Sequence, residues 1–175
     1  MEHLLMRLPT LEGLPNVPEL PAGFVLRTYE PGDLKGLAAL LDLAFTDMEW
    51  NEALVTERLL DAADVKKTFV IEHDGVPVAT ASVRIMVEQF PGSGYLHWVA
   101  VHPDFQGKDL GRIVTLAALH EFATIGCKDA VLETQDQRLP AIKLYKKLGF
   151  EEVHAHASHS LRWAMIAELL ASANV

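Results

Sequence analysis

The chain lacks what several broad protein classes need. Cys127 is its single cysteine, so no disulfide can form within it, and a reducing, cytoplasmic setting is the natural expectation. Beside Gly126, Cys127 reads as small core filler. No apolar run approaches the ~20 residues needed to cross a bilayer. The N-terminus lacks the charged-then-apolar pattern of a secretory signal, and no membrane partner is expected. Cationic residues are scarce: 15 lysines and arginines face 24 aspartates and glutamates, for a formal net charge of −9. That balance disfavours nucleic acid, whose phosphates demand a basic surplus. It mildly favours a cationic small molecule. Neither a full dinucleotide fingerprint nor the Lys-Ser/Thr pair of a phosphate-binding loop is present. There is no internal repeat and no low-complexity segment.

Half of the 175 residues are hydrophobic, enough for one sizeable core. Residues 1–22 carry Pro9, Pro15, Pro18 and Pro21 and read as an extended arm. Leu4, Leu5, Leu8, Leu11 and Leu14 would lay this arm on apolar surface. Residues 23–175 then form a single domain. Phe24 to Thr28 alternates as a strand. Pro31 opens a helix to about Phe45, with Leu34, Leu37, Ala38 and Leu41 at helical spacing. A short helix is expected from Asn51 to about Leu60. Lys67–His73 and Val76–Val87 read as a hairpin about Asp74-Gly75, a pair suited to a turn that needs positive φ twice. Tyr95–Val101 is apolar enough to be a central strand.

A helix follows from about Leu110 to Ile125, stopped by Gly126. Ala130–Glu133 is a further strand. Pro140 starts a helix with Ala141, Leu144, Tyr145 and Leu148 on one face. Phe150 to about His156 reads as a last strand, and Leu161 to about Leu170 as a terminal helix. This order gives a mixed sheet covered by helices on both sides, an α/β (α+β) fold.

The stretch from Val99 to Arg112 carries the chemistry. A buried strand, a glycine-bearing loop and a helix start make a seat for phosphate, because the first amides of a helix have no partner within it. Small loop residues let a ligand approach the main chain. A second signal is Ala141-Ile142-Lys143-Leu144-Tyr145-Lys146-Lys147-Leu148-Gly149-Phe150.

The two motifs together resemble the Gcn5-related N-acetyltransferases, the GNAT superfamily, over roughly residues 24 to 155. The family's cofactor loop, Gln/Arg-x-x-Gly-x-Gly/Ala, appears here as Gln106-Gly107-Lys108-Asp109-Leu110-Gly111. The family's second motif, Asn-x-x-Ala-x-x-Leu-Tyr-x-x-x-Gly-Phe, appears as residues 138–150. The resemblance implies a mixed, mostly antiparallel sheet of about six to seven strands, with acetyl-CoA as the acyl donor. It implies that Val99, Ala100 and Val101 meet the pantetheine arm. It implies that Gln106, Gly107, Lys108, Asp109, Leu110, Gly111 and Arg112 cradle the pyrophosphate. By the same resemblance, Tyr145 would protonate the departing sulfur.

Two positions depart from the pattern. Asp109 replaces the family's central glycine. Its carboxylate would repel a diphosphate by about 1 kcal/mol at about 6 Å and an effective dielectric near 40, or would cap the helix. Arg138 stands where the family often has asparagine, and would either reach the cofactor's phosphates or sit exposed.

A primary amine of pKa about 10.4 is about 0.04% neutral at pH 7, so reaching the neutral form costs about 4.6 kcal/mol. A proton acceptor is therefore useful. Tyr95 occupies the position where several family members carry glutamate. His97, two residues on, leaves the same sheet face and suits the task by its ordinary pKa. Glu88, Glu133 and His154 are further candidates, and bulk water another. His154 and His156 would share a strand face, yet no cysteine or acidic ligand sits at metal-site spacing. Trp50, Trp98 and Trp163 are expected in the core or at a homodimer contact. The function implied is acetyl transfer to the primary amine of a small molecule. The alternatives are an acyl-CoA-binding protein without catalysis and an enzyme acting on a protein or peptide amine. The acceptor pocket would draw on the Thr46–Trp50 loop, the hairpin and the C-terminal strand.

Overall fold

The computed structural model describes residues 2–46 and 48–172. Asp47, in the Thr46–Trp50 loop, and residues 173–175 lie outside the described residues. Seven strands form one sheet: β1 (Leu4–Leu8), β2 (Phe24–Thr28), β3 (Val65–His73), β4 (Val76–Arg84), β5 (Ser93–Val101), β6 (Asp129–Thr134) and β7 (Glu151–Val153). Their order across the sheet is β2-β3-β4-β5-β6-β1-β7. Every neighbouring pair is antiparallel except β5 with β6, which is parallel. The helices, on both faces, are α1 (Leu34–Ala44), α2 (Glu52–Val55), α3 (Leu110–Ile125), α4 (Leu139–Lys147) and α5 (His159–Ser172). Among the described residues, no helix is long and apolar enough to cross a membrane.

The first residues differ from the expected arm. Leu4–Leu8 is a strand between β6 and β7, with Leu4, Met6 and Leu8 buried on one side. Its alternation is blurred in sequence by Leu5. Only beyond Pro9 does the chain lie over the fold as a strap. There Leu11 is buried, Leu14, Val17 and Leu20 pack on the same cluster, and the Pro15 carbonyl lies 2.9 Å from His120 Nε2. Cys127 packs against that cluster too.

Other departures are local. The first turn after Pro31 is a tight three-residue turn, and α1 proper starts at Leu34. Asn51 caps α2 by accepting from the Leu54 amide, but the helix widens into a looser turn over Thr56–Leu60. The last strand ends at Val153, so His154 and His156 lie in the loop beyond it and share no strand face. Their Nδ1 atoms sit 3.0 Å from Ser160 Oγ and 2.9 Å from Ser158 Oγ.

Two apolar clusters flank the sheet. One joins β1, β4 and β6 to α3, with Phe122 and Trp163 fully buried. The other joins α1 and α2 through Leu37, Leu41, Phe45 and Trp50. The Asp74-Gly75 turn has the two positive φ values that its sequence implied, 51° and 77°. Arg27 ties β2 to the start of α1: its Nη atoms donate to both oxygens of buried Asp33, at 2.6 and 2.8 Å.

Candidate active site

The site begins with a failure of pairing. The β5–β6 ladder runs only through Ser93–Asp129, Gly94–Ala130 and Tyr95–Val131. Past Tyr95 the two parallel strands part. On the other side of β5, Ser82 faces His97 and Thr80 faces Ala100, so Trp98 and Val99 together oppose Ala81. This is a β-bulge, and it places Trp98 at φ 46°. The bulge bends β5 away from β6 and leaves the backbone of its second half facing an open space.

That space is a cleft of about 770 Å³. Its floor and walls include His97, Val99, Ala100 and Val101 of β5, Glu133 and Thr134 of β6, and Tyr145 of α4. At one end lie Gln106, Gly107, Asp109, Leu110, Gly111 and Arg112. Arg138 lines it as well. One expected residue is not brought in: Lys108 is exposed and is not part of the lining.

The loop geometry suits an anion. Gly107 has φ 77°, open only to glycine at low cost, and Asp109 has φ 61°. The first helical bond of α3 is from the Ile113 amide to the Asp109 carbonyl, at 3.0 Å. The amides of Leu110, Gly111 and Arg112 therefore have no partner inside the helix. A Cβ at Gly111 would meet Val101 Cγ2 at 3.4 Å and Leu144 Cδ2 at 3.5 Å, ordinary contact distances, so α3 packs closely on β5 and α4 here.

Asp109 does not act as the expected side-chain cap, for it makes no capping hydrogen bond. Its Oδ2 instead accepts from Arg112 Nη1 at 3.2 Å, on the exposed side of the turn. The left-handed backbone explains this: at φ 61° the side chain leaves in a direction other than that of an ordinary cap. The same φ explains why glycine suits the position in the family motif.

Tyr95, His97, Glu133 and Tyr145 all line the cleft. Tyr95 donates its hydroxyl to Glu133 Oε2 at 2.9 Å, and its ring centroid is 5.4 Å from that of His97. Burial first, then the charge of Glu133, pushes the Tyr95 phenol far above its ordinary range. Burial and then the charge of Arg84 lower His97 to about 3, so its imidazole is neutral at working pH. Burial also raises Tyr145 above the usual phenol range, against a smaller opposing effect from Arg138. Arg138 lies over the Phe45 ring, 4.5 Å from guanidinium carbon to centroid. It thus joins the start of α4 to the end of α1 across the cleft mouth, a contact with no trace in local sequence. Phe45 and Trp98, 5.0 Å apart and edge to face, extend that wall. Among the described residues, no cluster of three or more His, Cys, Asp or Glu could hold a metal ion.

The acetyltransferase (GNAT) family model matches residues 35–150, about two thirds of the chain. This chain belongs to the GNAT acetyltransferase family. A mycothiol acetyltransferase of Actinosynnema mirum is 31% identical over 156 residues, covering 86% of this chain and 52% of that relative. The chain spans about half the length of the curated relatives it matches. An acetyltransferase of Trypanosoma brucei superposes with a TM-score of 0.60 at 26% identity, covering 76% of this GNAT chain and 94% of the other. The aminoglycoside N-acetyltransferase AAC(6')-Iy, solved in complex with CoA, shares the fold at a TM-score of 0.65 and 20% identity, with 77% and 93% covered.

Proposed function

We propose that this GNAT chain transfers an acetyl group from acetyl-CoA to the primary amine of a small molecule. One observation carries the reading: the gap between β5 and β6 runs directly into the unpaired amides that open α3. A thioester-bearing chain lying along the strand edge would have its diphosphate at those amides. Acetyl-CoA would supply the activated acyl group.

The residues present fit that donor. Val99 and Val101 offer backbone donors and acceptors along the open edge of β5, while Ala100 between them turns its own toward Thr80 of β4. Gln106, Gly107, Asp109, Leu110, Gly111 and Arg112 form the diphosphate seat, with the helix dipole adding to the pull on an anion. Arg112 compensates the Asp109 carboxylate that a bound anion would otherwise meet.

Tyr145 stays protonated across the neutral range, the form required to donate a hydrogen bond or a proton to a leaving thiolate. His97 meets the incoming ammonium as a neutral imidazole. Its lowered pKa opposes storing the proton, so the imidazole would hold it only in passing and give it up to solvent.

The names mycothiol acetyltransferase and aminoglycoside N-acetyltransferase each specify a small molecule, and that supports a small-molecule acceptor here. We propose further that the protein acts as a homodimer in the cytoplasm, where its single cysteine would stay reduced. The test is a panel of amines assayed for CoA release from acetyl-CoA, beside thermal melts with the donor. Acetyl-CoA raises the melting temperature and at least one amine releases CoA; no shift at millimolar donor overturns the reading.

A further inference from the structure

The last turn of α1 sets a leucine where an exposed helix end would ordinarily carry a polar residue. Leu43 is 51% exposed, and its side chain lines the cleft. Seven other large apolar side chains are exposed among the described residues, and none of those seven lines it. A lone leucine on open surface needs no explanation, but one facing a cleft offers apolar area to whatever fills it. Ala44, Phe45 and Trp98 line the cleft beside it. The Phe45 and Trp98 rings meet edge to face at 5.0 Å, and Trp50 backs Trp98 at 4.5 Å. None of these wall residues carries a formal charge.

The position of this wall along the cleft decides which part of a ligand meets it. The amides that open α3 come after the end of β5 at Val101. Trp98 stands three residues back, about 10 Å along the strand. The wall therefore flanks the thioester end of a bound donor and not its phosphates. The ways out from that point are unequal. The His97 and Trp98 rings, 4.5 Å apart, separate the cleft from a smaller space of about 240 Å³ lined also by Glu57, Arg58, Ala62 and Arg84. Tyr95 and Glu133 present a polar pair, joined at 2.9 Å. What remains for the body of an acceptor is the wall begun by Leu43.

We infer that the acceptor is a primary amine on an apolar, uncharged body, alkyl or arylalkyl, and that Leu43 is a specificity-determining residue for it. The inference rests on the transferase reading, which it deepens. The ammonium is the one charge that such a molecule brings. Glu133 is exposed and lines the cleft, and the net charge of −9 favours the approach of a cation. A carboxylate on the acceptor would have to draw the Arg138 guanidinium off the Phe45 ring, where it lies 4.5 Å from the centroid. A hydroxyl-rich body would set polar groups against Leu43, Ala44 and Phe45 side chains that cannot pair with them.

The test uses the full chain. CoA release from acetyl-CoA is measured with 2-phenylethylamine, ethanolamine and β-alanine. In parallel, 2-phenylethylamine is titrated calorimetrically into protein saturated with CoA. 2-Phenylethylamine is favoured at least tenfold in kcat/KM over each of the other two amines. In Leu43→Ser that preference falls at least fivefold, mainly through KM, and the calorimetric Kd weakens by a similar factor. Leu43→Met, which keeps the apolar surface, retains both. Equal use of the three amines, a preference for either polar one, or an unchanged preference in Leu43→Ser overturns the inference. If ethanolamine or β-alanine releases CoA and 2-phenylethylamine does not, the transferase reading stands and this inference fails. If no amine in the wider panel releases CoA while 2-phenylethylamine binds with a Kd that depends on Leu43, the transferase reading fails and the apolar amine site stands. Neither release nor binding overturns both.

Discussion

A Cβ added to Gly94 would lie 2.3 Å from the ring of Phe122. The strand that borders the cleft and the helix that opens at the proposed diphosphate seat are thus pressed together with no room for a methyl group. Gly94→Ala forces α3 off β5 and destabilises the protein by about 1–3 kcal/mol. Urea unfolding monitored by circular dichroism measures this directly, and the displaced helix start weakens CoA binding in parallel.

Asp109 tests the loop. Asp109→Gly relieves a left-handed side chain and removes a carboxylate beside the anion seat, at the loss of one exposed ion pair of small worth. CoA binding tightens about fivefold, equivalent to about 1 kcal/mol. Calorimetric titration of CoA into both proteins gives the answer; weaker binding would mean that the Asp109–Arg112 pair orders the turn.

Tyr145 tests the chemistry. Tyr145→Phe keeps the buried ring and deletes the donor. Turnover falls by about 10²-fold or more while the CoA Kd changes less than about twofold. Steady-state kinetics with a responsive amine, run beside CoA titration, separates the two effects.

His97 makes stability depend on pH in a defined direction. Its folded pKa of about 3 lies below the ordinary value of 6.5. Between those limits the unfolded chain binds the extra proton, so stability rises with pH from about 3 to 6.5 and is lost on acidification through that window. His97→Gln flattens this slope by about one proton. Urea midpoints between pH 4.5 and 7.5 report it, and an unchanged slope would mean that His97 titrates normally.

Local signals carried most of the architecture. The Asp74-Gly75 hairpin, the Gly126 stop after α3 and the Pro140 start of α4 each depend on neighbours in sequence, and each appears as the residues imply. The glycine loop before Leu110 was legible for the same reason. What escaped depends on distant partners. Leu4–Leu8 needs β6 and β7 to become a strand. The bulge at Trp98 arises from the register between β4 and β5, which no residue of β5 announces alone. Simple alternation assigned Tyr95 and His97 to one face; the structure gives Tyr95 a Glu133 partner and gives His97 access to two cavities. The sequence leaves Arg138 between phosphate contact and exposure; the structure sets it in the cleft lining and over a ring 93 positions earlier, a contact no local signal announces.

The placement of β1 has a consequence for synthesis. Leu4 pairs with Thr134, and Met6 lies opposite both Leu132 and Glu152. The segment is thus enclosed by strands that follow it by more than a hundred residues, and it cannot dock until they have left the ribosome. Until then Leu4, Met6 and Leu8 have no sheet to enter, and closing so long a loop slows their docking. A nascent or truncated form ending before β6 would leave this apolar ribbon bare, a ready seed for association between unfinished chains.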